Sequence, residues 1–330
     1  MLKSMITSGL FLATLGTIAV LQATPARAVL PSSVWVANYG ADTVDCGPIA
    51  TPCASLYQAN RLVANGGQIG FLTPGEYIGV NIDGSLHIAN DGVGEVIILA
   101  GTESFYGFVL LAGPGAVVSI RGLVIDGQGN GIKGIQGDNV GALHIQNCFI
   151  RNFEAAGGST FGISFAPSRA SQLFISDTLI FNNGSVSLTA GILVEPQRGG
   201  QANVVLDRVH LENNVDGLLI VGSLGTGAGA RVLVRDSVFS GNAANGIHAL
   251  TAAGASAAFE VVERSSFVNN AGVGILTDGP RATVLLKDST LTLNGTGVST
   301  VNGGQLISYG TNTNNNNLGP EGAATGFYSG

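Results

Sequence analysis

From Val118 to the end of the chain one pattern recurs seven times: an alternating apolar stretch, a polar pair, a second short apolar stretch, often an asparagine, then glycine and an aliphatic residue. Aligned starts fall at Val118, Leu143, Leu173, Val204, Val232, Glu260 and Val284, spaced 24 to 31 residues apart. One marker position reads Gln128, Phe153, Asn183, Asn214, Asn242, Asn270 and Asn294. The glycine–aliphatic pairs follow at Gly131-Ile132, Gly162-Ile163, Gly191-Ile192, Gly217-Leu218, Gly246-Ile247, Gly274-Ile275 and Gly297-Val298. Each unit holds two or three period-two runs and lacks a helical stripe, so a βαβ sheet has no crossover helix to use. Short strands and tight turns at this period build a coil in which each turn stacks on the last. The fold expected is all-β: a single-stranded parallel β-helix of roughly nine to ten turns at ~4.8 Å per turn.

The marker residues fit that geometry. Asparagine tolerates the left-handed backbone of a sharp turn. Stacked at ~4.8 Å, its amide can bond to the identical amides above and below. Asn183, Asn214, Asn242, Asn270 and Asn294 are therefore expected to form a structural ladder. Glycine after the turn permits positive φ, and the aliphatic residue that follows points into the core.

Charge follows the same period. One outward column reads Asp207, Arg235, Glu263, Lys287, and the next reads Asp177, Arg208, Asp236, Arg264, Asp288. Sign alternates along both columns and between neighbours, a checkerboard that fixes register and avoids like-charge stacks. Over the whole chain 14 basic residues face 21 acidic ones, for a net charge of −7. That balance argues against a nucleic-acid partner, whose backbone needs Lys and Arg to neutralise it. An apolar content of 45% excludes a disordered chain.

The segments VWVANYGAD, NGGQIGFLTPGEY, IQNCFIRNF, GISFAP, DRVHLENNVDGL and NGTGVSTVNGGQLISYG, with the loop between Cys46 and Cys53, resemble secreted bacterial right-handed parallel β-helix repeat proteins of the pectin-lyase-like superfamily. The resemblance spans essentially all of the chain after its first 28 residues. It implies a right-handed coil, which parallel crossovers favour in any case. It also implies that a carbohydrate-active enzyme, a polysaccharide lyase, hydrolase or epimerase, is one possible function. A lyase of this kind needs a base and clustered acids for calcium, and a hydrolase needs facing carboxylates. The acids of this sequence match neither cluster and are interleaved with arginines, so neither a metal nor a cofactor is expected.

The ends are distinct from the coil. Lys3, the apolar run Ile6 to Ala23 and Ala26-Arg27-Ala28 read as a secretory signal peptide, residues 1–28, cleaved after Ala28. The address is then secreted or periplasmic, and no later run is long enough to span a membrane. Residues 29–66 are expected to form an N-terminal cap. It holds Cys46 and Cys53, which an exported protein can oxidise to a disulfide, and a helix within Ala54 to Ala64. Leu56, Ala59, Leu62 and Val63 make that helix an apolar lid over the first turn. Residues 67–310 form the β-helix, and residues 311–330 a polar tail whose TNTNNNN run suits a ragged exit. Cys148, in an apolar strand, is expected buried and inert.

Several motif look-alikes carry no function. Gly129 to Gly134 satisfies G-x-G-x-x-G but precedes a strand instead of a helix. Asp126, Gln128 and Asn130 imitate a calcium loop whose twelfth position is Gly137. Asn183 and Asn294 lie in glycosylation sequons but belong to the ladder. His87, His144, His210 and His248 have no ligand spacing and read as surface histidines.

Loop length is the remaining signal. The segments Glu154 to Phe161 and Gly184 to Ala190 are expansions on adjacent turns, and loops after the next strand are long as well. Solenoid insertions on one face are where ligands bind. Glu154, Arg169, Glu195 and Arg198, charges outside the checkerboard, are the candidate binding residues. The function expected first is non-catalytic: an exported surface or periplasmic module that binds extended polysaccharide or is structural. Last, Phe174, Val205, Leu233, Val261 and Leu285 fall two positions before the charged column and should form an outward apolar stripe. Either the C-terminal tail, with Phe327 and Tyr328, or a second subunit covers it, or it stays a modestly exposed apolar strip on a stable scaffold.

Overall fold

The computed structural model describes residues 30–101, 104–222 and 229–328. The signal peptide assigned to residues 1–28 lies outside them. Strands pair in parallel and stack on three faces of one solenoid. A representative turn runs through Val140–Gln146 on the first face, Phe149–Arg151 on the second and Phe161–Phe165 on the third. It re-enters the first face at Ala170–Phe181, one strand that bends to serve the second face as well. The first two faces make a twenty-stranded sheet and the third a nine-stranded sheet.

The repeat alignment is the register of the first face. Val118 pairs with Leu143, Leu143 with Leu173, Leu173 with Val204, Val204 with Val232, Val232 with Glu260, and Glu260 with Val284. The column continues to Leu86 at one end and Leu306 at the other. Apart from Glu260 it is aliphatic and buried, and the buried inward residues of the other faces include the stacked aromatic rings of Phe239 and Phe267. Each such side chain contributes roughly 1.5–3 kcal/mol of transfer free energy.

Two corners hold each turn, and each has its own hydrogen-bonded ladder. At the corner before the third face, the Nδ2 amides of Asn183, Asn214, Asn242 and Asn270 donate to the Oδ1 atoms of the next asparagine at 2.9, 3.3, 2.7 and 2.7 Å. Each Oδ1 also accepts the backbone N–H of the asparagine before it, and each Nδ2 reaches a strand carbonyl of an earlier turn, as Asn242 does at Leu211. Asn294 donates to Asn317, so the ladder has a sixth rung inside the TNTNNNN run. The left-handed residue at this corner is the one before the ladder: Asn182, Asn213, Asn269 and Leu293 have φ of 53°, 53°, 57° and 60°. The ladder amides are thereby aimed inward, where sequon positions Asn183 and Asn294 are almost wholly buried.

At the corner between the first and second faces the ladder is made of hydroxyls. The backbone N–H groups of Cys148, Val209, Ser237 and Ser265 donate to Thr178, Ser237, Ser265 and Ser289. The residues before this ladder, Asp177, Arg208, Asp236, Arg264 and Asp288, have φ between 46° and 53°. The charged column thus occupies left-handed corners, where its side chains project into solvent. Arg208 grips Asp177 at 2.7 and 3.0 Å, and Arg264 grips Asp236 at 2.9 and 3.0 Å. Asp207 takes Arg208 at 2.8 Å and Arg235 at 3.0 Å.

The cap forms as a helix over Leu56–Leu62, with the Ser55 hydroxyl accepting the Gln58 N–H and Leu56 and Ala59 buried. Cys46 and Cys53 form a disulfide beside it. Asp42, close to both sulfurs, spends its Oδ1 on the N–H groups of Ala54 and Ser55. Cys148 is free and buried, and burial pushes its thiol up to about 11. No helix among the described residues is long and apolar enough to cross a membrane.

At the amide-ladder corner the left-handed position falls before the ladder asparagine, and neither on it nor on the glycine of the glycine–aliphatic pair. Four further expectations need correction. The polar run is an ordered last rung: Thr313 pairs with Thr290, and Thr311, Asn312 and Asn317 accept the N–H groups of Asp288, Ser289 and Asn294. Its asparagines therefore satisfy the open edge of the preceding turn. In the first aligned unit the core aliphatic is Ile135 after Gly134, since Ile135 pairs with Ile163, and not Ile132. The C-terminal tail does not cover the apolar stripe. Gly326 and Phe327 pair with Ile307 and Ser308, extending the stack at its end with Phe327 exposed. Finally, His248 is not a surface residue. It is 8% exposed, with Nδ1 3.5 Å from Asp216 and Nε2 4.0 Å from Asp278.

Candidate functional site

The third face carries a groove of about 750 Å³ along the solenoid axis. Its lining comes from five successive strands of the nine-stranded sheet and the loops beside them. At ~4.8 Å per turn the five strands span about 19 Å. The expanded loops form one wall together: the Ser185 hydroxyl donates to Ala155 across turns, and Thr160 meets Ser185 at 3.4 Å.

The floor is apolar because outward positions here are unusually greasy. Phe161, Ala190, Leu193 and Leu219 make a small cluster separate from the interior core, with Val221 packed against it. Alternation explains how both sides of one strand are buried: Ile192 and Val194 face inward and Leu193 faces the groove. Such two-sided burial is normal for parallel strands only when something covers the outer face.

Three charged groups sit in the groove: Lys133, Asp138 and Glu195. Lys133 opens the strand Lys133–Gln136, and Asp138 follows it, held by the Gln136 amide. The other Asp138 oxygen is buried without a partner. Glu195 leaves the end of the Ala190–Val194 strand. Partial burial pushes its carboxyl above the usual range, Lys133 pulls it back, and the Asp138 charge pushes it up again. Glu195 therefore feels both of the other charges across the groove, and the three groups together can donate and accept hydrogen bonds along a hydroxyl-rich ligand.

Of the four residues chosen from loop length, Glu195 lies in this groove. Arg198 lines an adjoining depression of about 490 Å³ that also contains Glu195. Glu154 and Arg169 are exposed and line neither. Lys133 and Asp138 escape sequence reasoning because their turn carries Gln128 at the marker position and its glycine–aliphatic pair is ambiguous. The signal available was the column of strand starts, where Lys133 pairs with Phe161 and Phe161 with Ala190.

Residues 102–260 match the family described as "Right handed beta helix region". Searching the curated proteins yields no significant match. Among solved structures, the chain is similar to a pectate lyase, Pel9A, at 17% identity and a TM-score of 0.64, covering 91% of this chain and 80% of that one. It is similar to an alginate lyase from Paenibacillus sp. str. FPU-7 at 17% identity and a TM-score of 0.57, covering 84% and 97%. A GH136 lacto-N-biosidase from Eubacterium ramulus follows at 13% identity and a TM-score of 0.56, covering 89% and 67%. At these identities the likeness is one of fold.

Proposed function

We propose that this chain, a right-handed parallel β-helix with the fold of the pectin-lyase-like superfamily, is an exported module that binds a short stretch of extended polysaccharide along its third face. The observation that carries the reading is the groove itself. An apolar floor of Phe161, Leu193 and Leu219 is set beneath Lys133, Asp138 and Glu195, in a trough parallel to the solenoid axis. Sugar rings present apolar C–H faces and polar edges, and such a trough meets both. The Cys46–Cys53 disulfide supports an oxidising address outside the cytosol.

A second reading is favoured by one observation. Burial raises the Glu195 carboxyl, Lys133 lowers it and the Asp138 charge raises it, so two carboxyl groups share one groove. Paired carboxyl groups are what glycoside-cleaving enzymes use. The fold likeness to lyases and a biosidase is compatible with this reading and does not choose it.

One screen separates the two. Purified protein is offered acidic and neutral polysaccharides, and both retention and new reducing or unsaturated ends are scored. Retention without new ends, weakened about tenfold or more by Lys133→Ala or Glu195→Gln, is the result expected for a binding module. New ends abolished by Glu195→Gln would establish the catalytic reading. Retention unaffected by either substitution would remove the groove from the account.

A further inference from the structure

The outward apolar stripe on the first face is real and open. Phe174, Val205, Leu233, Val261 and Leu285 stack in register, with Ile307 above them and His144 lying parallel to Phe174 at a ring separation of 4.8 Å. All six apolar residues are half-buried, and Gly326 and Phe327 of the tail pair edge-on with Ile307 and Ser308, extending the stack instead of lying on its face. The face measures about 24 Å along the stack and about 20 Å along the strands, from the usual spacings. That is near 500 Å² per side, or about 1,000 Å² if two such faces meet, the lower edge of specific interfaces.

The charges beside the stripe say what fits. The column two residues further on reads Asp207, Arg235, Glu263, Lys287 and is partly exposed. An even number of alternating charges is complementary to its own reverse. A two-fold axis along the strands, passing between the turns of Leu233 and Val261, reverses turn order and keeps every column facing itself. Asp207 then meets the partner's Lys287, and Arg235 meets the partner's Glu263. Leu233 meets the partner's Val261, Val205 the partner's Leu285, and Phe174 the partner's Ile307. In the column on the other side of the stripe, Arg231 meets the exposed ring of the partner's Phe259, a cation–π pairing. The corner column obeys the same axis: Arg208 faces the partner's Asp288, and Asp236 the partner's Arg264. The other in-plane axis, parallel to the solenoid, fails this test because it brings Arg235 against the partner's Arg231.

We propose that the chain forms a reversible two-fold dimer through this face, with antiparallel solenoids and the polysaccharide groove of each copy left free on its third face. The interface follows isologous symmetry, in which each contact occurs twice, and its charges select the register more than they add affinity.

Sedimentation equilibrium of the full chain tests it. The wild type is expected to sediment as a monomer–dimer equilibrium. Leu233→Asp, at the axis, is expected to leave a monomer whose circular dichroism is that of the wild type. Arg235→Glu is expected to weaken association at least tenfold, and Arg235→Glu with Glu263→Arg to recover most of it, since the pair across the axis is rebuilt with signs exchanged. A wild type that stays monomeric up to ~100 μM would overturn the proposal. So would a dimer unaffected by Leu233→Asp, or a double variant as weak as Arg235→Glu alone.

Discussion

Replacing Glu260 with valine is expected to raise the thermal midpoint of the protein and to remove most of its decline between pH 5 and pH 9. Glu260 occupies an inward position of the first face between Val232 and Val284, where it is fully buried. Neither carboxylate oxygen has a hydrogen-bond partner. Burial alone pushes the carboxyl up to about 8, against an ordinary value of 4.5. The folded chain therefore holds a proton on Glu260 that the unfolded chain releases above pH 4.5. Its contribution is favourable below that value and is lost as pH rises through about 8. Three to four pH units of separation correspond to roughly 4–5 kcal/mol at the alkaline end. Valine completes the aliphatic column and carries no proton. The lowered carboxyls oppose this trend only at acid pH: Asp177 and Asp236 are held down by Arg208 and Arg264, and their contribution is lost as pH falls. Melting followed by circular dichroism at pH 5, 7 and 9 checks the effect. Parallel curves for the wild type and Glu260→Val would show that the carboxyl is not buried.

The other large effect is expected at the middle of the amide ladder. Asn242→Ala removes the acceptor of the Asn214 N–H and Nδ2 groups, and the donor to Leu211 and Asn270. The groups left behind are buried, so the loss is the desolvation of several polar atoms more than the bonds themselves, roughly 3–5 kcal/mol. Asn242→Asp separates acceptor from donor. Its carboxylate still takes the two Asn214 bonds, but it faces the Leu211 carbonyl and Asn270 Oδ1 without a proton to give. It is therefore expected to be destabilised near neutral pH and to recover partly as pH falls and the carboxyl is protonated. Urea unfolding of both variants reads the difference. A loss below about 1 kcal/mol for Asn242→Ala would mean that the ladder decorates the corner without holding it.

The fold was legible because one period governs every level of it. Val118, Leu143, Leu173, Val204, Val232 and Val284 could be aligned by eye, and the same alignment is the hydrogen-bond register. Glu260 stood in that column too, and its substitution for an aliphatic residue was already the signal of a buried acid. The hydroxyl ladder at Thr178, Ser237, Ser265 and Ser289 was equally visible, but serine is so common in turns that its spacing drew no weight. Alternation tells inward from outward and does not tell whether an outward side chain stays in water. His248 and Leu219 are outward by alternation and buried nonetheless, the histidine between two aspartates of neighbouring turns. The groove was legible only in its walls for the same reason. Expanded loops pointed to the turns that line the groove, and through them to Glu195, whereas Lys133 and Asp138 come from a turn whose markers had drifted.

The most direct measurement of the central claim is a crystal structure of the chain with an oligosaccharide drawn from whichever polysaccharide it retains. The account predicts the sugar chain lying along the solenoid axis on the third face, its rings over Phe161, Leu193 and Leu219, with Lys133, Asp138 or Glu195 at its hydroxyls. Sugar seated elsewhere, for example in the cleft between the cap helix and the first turns beside Tyr57, Arg61 and Glu76, with the third-face groove empty, would contradict it.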